Sequence, residues 1–454
     1  MEFSAHVAHA GSQQSPCELQ STFALRLPNL GLLRKISRVA LFLILIRIFS
    51  AAGFVLTLWL CPIHVFANLG IYLASVSLAA LAVFGRYELL IVAAEDEQKC
   101  ADAVHLCLIT GICVMFAIFA AAISVHELFI THITLFFAGA LFARAWLRLG
   151  LIFATRYGRY DRAVKALLPH TIVQPVTLVL LTYSGYNPLL AFILSDFVGH
   201  LVAAICVCIS EWRAFLIFFC QKIRFRQAGK LAMLNYGLPT LNLTAAASAF
   251  LFATAPLFFL PTLQNGILAG TLALLFRVLD VPTSVTTASI GPILMKEVAE
   301  RNRDGTQWMS SKTFLLPATV AAAVFGSISL GGLSLNDLDI TPSWHMALTI
   351  LPVVALFQAG IAATSPLIDI ATLAGRQKGL ASLNVISVLL AASVLLFWSH
   401  NPIIAIMLAG SIGFARVFAM TVLLVAHGKA GISGATELVW SAFPKIKPMI
   451  AVQP

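Results

Sequence analysis

The chain has 454 residues, of which 60% are hydrophobic and 11% charged, with a mean hydropathy of +0.93. Soluble domains carry about 25% charged residues, and no soluble core absorbs this much apolar surface, so a soluble enzyme or binding domain is excluded. The net charge of +10 then reads as orientation and stop-transfer signals beside membrane helices, not as a nucleic-acid surface.

Residues 1–37 are polar and mixed and read as a cytoplasmic tail. Apolar segments follow almost without pause, at about 38–60, 66–93, 104–124, 133–155, 166–183, 187–209, 233–260, 266–295, 313–334, 344–369, 377–398 and 401–427. The first begins too far from Met1, and is too long, to be a cleaved signal peptide. The longest internal connection, 210–232, divides the twelve segments six and six. The expected fold is an all-α polytopic membrane protein of about 12 transmembrane helices. Two six-helix lobes, 38–209 and 233–427, would surround a central cavity. The tail 428–454 carries Lys429, Lys445 and Lys447, with Trp440 and Phe443 placed to rest on a membrane surface.

Charge sets the expected orientation. Twenty-one Lys and Arg lie in the loops and tails of one side, including Arg34, Lys35, Lys99, Arg159, Arg226, Lys296 and Arg376, and the opposite loops hold none. That split predicts both termini in the cytoplasm. The opposite loops are at most nine residues long, too short for a catalytic domain. The second segment of each half starts near a glycine, passes an arginine and ends in acidic residues. These are Gly70, Arg86 and Glu95-Asp96-Glu97, then Gly266, Arg277, Glu297 and Glu300. Even-numbered halves with such similarity predict parallel repeats about an axis along the membrane normal.

Motifs for chemistry are absent. Cys61 is the one cysteine near the outer face, and Cys206 and Cys208 point to different sides of a helix, which argues against a metal site. His126-Glu127 lacks the second histidine of a metalloprotease, and there is no phosphate-binding glycine loop. The run Arg156-Tyr157-Gly158-Arg159-Tyr160-Asp161 reads as an interfacial belt. No catalytic residue, metal or cofactor is expected.

The informative stretch is Gly266–Arg303. As helix, 266–295 would span roughly 45 Å against a hydrocarbon core of about 30 Å. Arg277 and Asp280 share one face, Pro282 removes a backbone donor, and Thr283, Ser284, Thr286, Thr287 and Ser289 follow. Charge and broken backbone at this depth are expected to line a cavity. Other ionisable residues within segments are Arg47, Arg144, Arg148, Asp196, His200 and Arg416, with Arg86 and Glu88 set aside as a cancelling pair near an inner end. Each charge at the bilayer centre costs roughly 2.5–3.5 kcal/mol. The competing reading is structural: Arg277 paired with Asp280, Arg148 snorkelling, Arg416 anchored near the inner face. Five arginines (47, 144, 148, 277, 416) against two aspartates leave a cationic surplus, and arginine grips phosphate bidentately. These five are therefore the candidate substrate-binding residues, for an anionic substrate. Asp196 and Asp280 are the candidates for coupling to protons or sodium, Asp280 alternatively serving to orient Arg277.

Gly70-Ile71-Tyr72, then Phe84-Gly85-Arg86-Tyr87-Glu88-Leu89-Leu90 and Glu95-Asp96-Glu97, resembles the second-helix region of bacterial polysaccharide flippases. These are the O-antigen and exopolysaccharide exporters of the MOP (multidrug/oligosaccharidyl-lipid/polysaccharide) superfamily. Arg277 to Pro282 with Lys296-Glu297-Val298-Ala299-Glu300 resembles their eighth helix, and Gly375-Arg376-Gln377-Lys378 their turn before the eleventh. The first segment lacks the proline-rich outer end common in that family. The resemblance implies a V-shaped pair of lobes in the bacterial inner membrane, moving undecaprenyl-diphosphate-linked oligosaccharide repeat units, with association to a polysaccharide polymerase and chain-length machinery. The alternatives are a multidrug or cation antiporter of the same superfamily, expected to show an acidic cavity, and a polysaccharide polymerase or ligase, expected to show a large outer loop. A structural or assembly component would carry mid-membrane charge to no purpose.

Overall fold

A computed structural model describes residues 63–124, 130–212, 215, 224–260, 266–304, 311–335 and 342–429, with Leu41, Ile44, Ile46 and Phe49. Apart from those four residues, the first predicted segment lies outside the described residues, and so do Arg47, the N-terminal tail and residues 430–454. The helices are α1 (Ile63–Ala82), α2 (Glu88–Ala93), α3 (Glu97–Ser124), α4 (Ile130–Arg156), α5 (Tyr160–Tyr183) and α6 (Pro188–Ser210). After these come α7 (Phe225–Leu234), α8 (Leu243–Phe259), α9 (Gly266–Asp304), α10 (Ser311–Leu335), α11 (Pro342–Leu373), α12 (Gln377–Phe397) and α13 (Pro402–Lys429). Among the described residues, 10 helices are long and apolar enough to cross a membrane, and no strand is present. The protein is an all-helical multi-pass membrane protein. Large apolar side chains point outward from it, as lipid contact requires: Phe116 is 72% exposed and Phe418 73%.

Nine of the predicted segments each match a single helix, six of them to within four residues at either end. Local chemistry explains several ends: Asn187 accepts a hydrogen bond from the Leu189 N–H at 3.0 Å and Pro188 opens α6. Arg156 donates to the Ile91 and Ala94 carbonyls at 2.7 and 2.8 Å, capping the C-terminal end of α2 with a cation. The seventh segment starts later than expected. Its first residues belong to the short amphipathic α7, which Arg224 ties to Asp102 of α3 at 2.9 Å, and a π-helical turn at Leu238–Asn242 leads into α8.

Two expectations are corrected. The second segment is broken, not continuous: residues 83–87 form turns, with Gly85 at φ 57 and Arg86 at φ 66. Conversely α9 is continuous for 39 residues through Pro282 and Pro292. The helical φ of proline fits there, and the neighbouring hydroxyls serve the backbone. Thr283 donates to the Leu279 carbonyl at 2.8 Å and Thr286 to that of Pro282 at 2.9 Å.

Among the described residues, helices α2–α6 pack mainly on one another, as do α8–α13, and α1 bridges the two groups, packing more on α9 and α8 than on α4 and α6. The N-terminal lobe packs around Leu149, Phe153 and Phe215, the C-terminal one around Phe252, Phe325 and Phe357. Small residues allow the close crossings. A Cβ on Gly70 would lie 3.1 Å from that of Ala273 in the other lobe, and one on Gly360 would lie 3.1 Å from the backbone of Gly413. That backbone cannot yield. Gly360→Val is expected to cost about 1–3 kcal/mol by forcing α11 off α13. Gly326→Val, with nothing within 4 Å, is expected to cost little. Thermal unfolding of the two purified variants in detergent checks the difference, and equal melting would refute it.

Candidate functional site

The site is built where the lobes face each other. A cavity of about 480 Å³ lies between α1, α8, α9 and α11, its apolar wall formed by residues such as Ala249, Leu257 and Phe276. Three arginines reach it, Arg86, Arg148 and Arg277, together with Asp280 and Asp369. Here "basic end" denotes the end at which the Lys- and Arg-rich loops lie, and "neutral end" the opposite one. Arg277 sits eleven residues, roughly 16 Å, from the neutral start of α9. It is half-buried, and Asp280 one turn on is exposed to the cavity.

At the basic end of the cavity a charge cluster crosses between lobes. Arg86 Nε donates to Asn242 Oδ1 at 2.7 Å, and its Nη2 pairs with Asp369 of α11. Its Nη1 lies 3.6 Å from Glu88, and Glu88 lies 2.7 Å from Arg148 Nη2. Asn242 in turn donates to Thr372. Both Glu88 oxygens are buried with no aligned donor among the described residues, so charge rather than directed hydrogen bonding holds them. A side chain beyond glycine at φ 66 costs of order 1–3 kcal/mol, and the contacts of Arg86 with the other lobe hold it there.

A second cluster lies inside the N-terminal lobe. Arg144 of α4 grips both carboxylate oxygens of Asp196 at 2.9 and 2.8 Å and donates to Ser77 at 3.2 Å. Tyr72 OH reaches the same carboxylate at 3.3 Å, and His200 Nδ1 donates to the Asp196 carbonyl at 2.9 Å. The His170 ring packs edge-on to His200 with centroids 4.3 Å apart. His170, Asp196 and His200 bring ligand atoms within 4.8 Å of one another. A cation gathered by these three would have to displace Arg144 from Asp196. Ser77 lines the cavity, so this cluster stands directly behind its wall.

No protein-family model matches the sequence, and no curated protein matches it. Solved structures do. The eukaryotic MATE transporter AtDTX14 superposes with a TM-score of 0.62 at 13% identity, over 91% of this chain and 98% of that one. A mutant of the Vibrio cholerae MATE transporter VcmN gives 0.63 at 11% identity, over 90% and 99%. An inward-facing multidrug resistance MATE family transporter of the MOP superfamily gives 0.55 at 12%, over 88% and 99%. The fold is that of the MATE transporters. At 11–13% identity the likeness is one of fold.

Of the seven residues singled out in the sequence, Arg148, Arg277 and Asp280 meet in the cavity. Arg144 and Asp196 form a pair behind it, and Arg47 lies outside the described residues. Arg416 is elsewhere. It is 3% exposed within the C-terminal lobe, donating to Asn384 at 2.9 Å and lying 5.2 Å over the Phe252 ring. It neither lines this cavity nor anchors near a membrane face, because α12 and α8 enclose it. Arg148 does not snorkel, since Glu88 holds it. The expected surplus of positive charge is corrected as well: Glu88 and Asp369 join Asp196 and Asp280 as counter-charges, so arginines 86, 148 and 277 face carboxylates 88, 280 and 369. Sequence reading set Arg86 aside as cancelled by Glu88 and missed Asp369. Asp369 fell on the last residue of its predicted segment, whereas α11 continues to Leu373.

Proposed function

We propose that the chain is a flippase for lipid-linked oligosaccharide, moving undecaprenyl-diphosphate-linked repeat units across the bacterial inner membrane. The observation that carries this reading is the presence of Arg86, Arg148 and Arg277 on one inter-lobe cavity. Guanidinium groups recognise phosphate oxygens bidentately and stay charged at any depth. A volume of about 480 Å³ suits a diphosphate and its first sugars, with the lipid tail outside between lobes. Residues 38–209 and 233–427 would rock about the cavity. Asp196, released from Arg144, would take the coupling proton or sodium ion, and Asp280 would couple or orient Arg277. The polymerase and chain-length machinery would receive the product.

A multidrug or cation antiporter is the second reading, favoured by the MATE fold and by Asp280 and Asp369 on the same wall. Reconstitution into vesicles separates the two. The flippase reading expects translocation of a fluorescent undecaprenyl-diphosphate oligosaccharide and no proton- or sodium-driven flux of an organic cation such as ethidium. The reverse pattern would establish the antiporter.

The reading also places the basic end and both termini in the cytoplasm. Cysteines introduced at Gln264, Asn336 and Ser399 are expected to react with an impermeant thiol reagent from outside intact cells, and one at Arg226 is not. Labelling at position 226 would refute twelve spans with both ends inside.

A further inference from the structure

The Arg86 cluster joins the two lobes at the basic end, where Val164 also packs with Ile293 and Gly158 lies against Lys296; toward the neutral end the lobes approach at Gly70 and Ala273. One guanidinium from the α1–α2 break holds Asn242, at the entry to α8, and Asp369, near the end of α11. Asn242 and Asp369 lie 156 and 283 residues away in sequence, so this is a contact between lobes and not local packing. The three partners differ in how firmly they are fixed. Glu88 is 1% exposed and held by Arg148, and Asn242 is fully buried and bonded to Thr372, whereas the Asp369 side chain is 35% exposed. Asp369 is therefore the partner that an incoming anion can replace at least cost. Arg86 and Arg148 both line the cavity, so a group placed there meets two guanidiniums that share Glu88 between them.

We propose that Arg86 is an anion-operated latch: a diphosphate entering the cavity takes Arg86 from Asp369, and the lobes part at the basic end. A diphosphate carries more charge than a carboxylate and offers oxygens spaced for both guanidiniums, so it competes for the same donors. Loss of the Arg86–Asp369 contact removes an ion pair between the lobes and frees the left-handed backbone at residue 86 to relax. The substrate thus opens the path that it uses. The identity of the anion rests on the flippase reading; the latch itself rests on the contacts between lobes.

The test measures distance between lobes. Spin labels are coupled to ketone-bearing residues incorporated at Gln98 and Lys378, both exposed at the basic end, one in each lobe, which leaves the native cysteines in place. Without ligand, the parent is expected to give mainly a short distance. Asp369→Asn is expected to raise the long-distance fraction at least fivefold, and Asp369→Glu to resemble the parent. Soluble pyrophosphate, or undecaprenyl diphosphate in nanodiscs, is expected to raise that fraction in the parent severalfold and to add little in Asp369→Asn. A shift with either probe supports the latch, and the responding probe shows whether the lipid is required. No shift with either probe, or an Asp369→Asn distribution equal to that of the parent, overturns it. The probe arm uses the unaltered Arg86–Asp369 pair, so it decides even if the variant fails to fold. Transport in vesicles is scored separately. A diphosphate-driven shift without oligosaccharide translocation keeps the latch and removes the flippase reading, and translocation without a shift removes the latch alone.

Discussion

Arg277→Ala is expected to lower translocation of lipid-linked oligosaccharide by about 100-fold or more while the protein still reaches the membrane. Two charge-assisted hydrogen bonds to a phosphate contribute about 1.5–3 kcal/mol each, and each 1.4 kcal/mol is tenfold. Arg277→Lys keeps the charge and loses the planar fork, so a partial defect of about tenfold is expected. The rival role for Arg277 is neutralisation of Asp280, one turn along the same helix. In that case Arg277→Ala alone leaves a carboxylate without its counter-charge, and the combined change to Ala and Asn restores expression and transport together. Membrane expression and transport of both singles and the double distinguish the roles. A double variant that transports as well as the parent would show that Arg277 is not needed to hold substrate.

The helices were legible because an apolar run of about 20 residues has few alternatives in a membrane. Their ends shifted where polar residues continue a helix beyond the hydrocarbon. Glu97 and Lys99 lie in the first turns of α3 but were read as loop, and Asp369 was read as a boundary although α11 runs on to Leu373. The break at 83–87 left no mark in hydropathy. Gly85 is its only local cue, and the left-handed Arg86 is held by Asn242 and Asp369 from the other lobe. Proline misled in the opposite direction, since Pro282 sits inside an unbroken helix whose threonines bond its carbonyls. The charges within segments were found from depth alone, but their partners depend on which helices touch. Nothing in the order of residues places Glu88 beside Arg148, or Arg416 beside Asn384 and Phe252. That is why a net count of arginines over aspartates overstated the positive charge available to a substrate.

Asp196→Asn is expected to destabilise the protein by about 3–5 kcal/mol, because it leaves the Arg144 guanidinium against a neutral amide in a buried site. Asp196 is 1% exposed, so water cannot replace the lost charge. Arg144→Gln is expected to be of similar cost, stranding the carboxylate with Tyr72 and His200 alone. The double variant Arg144→Gln with Asp196→Asn removes both charges and is expected to recover most of that loss, a coupling of about 3 kcal/mol. Unfolding of the four purified proteins measures it, and additive single effects would show that the pair carries no coupling. Function is then read on the stable double. If Asp196 takes the coupling ion, this variant moves substrate without responding to a pH or sodium gradient, since no carboxylate remains to load. If the pair only joins α4 to α6 behind the cavity, transport by the double follows both gradients as in the parent, and coupling has to be sought at Asp280.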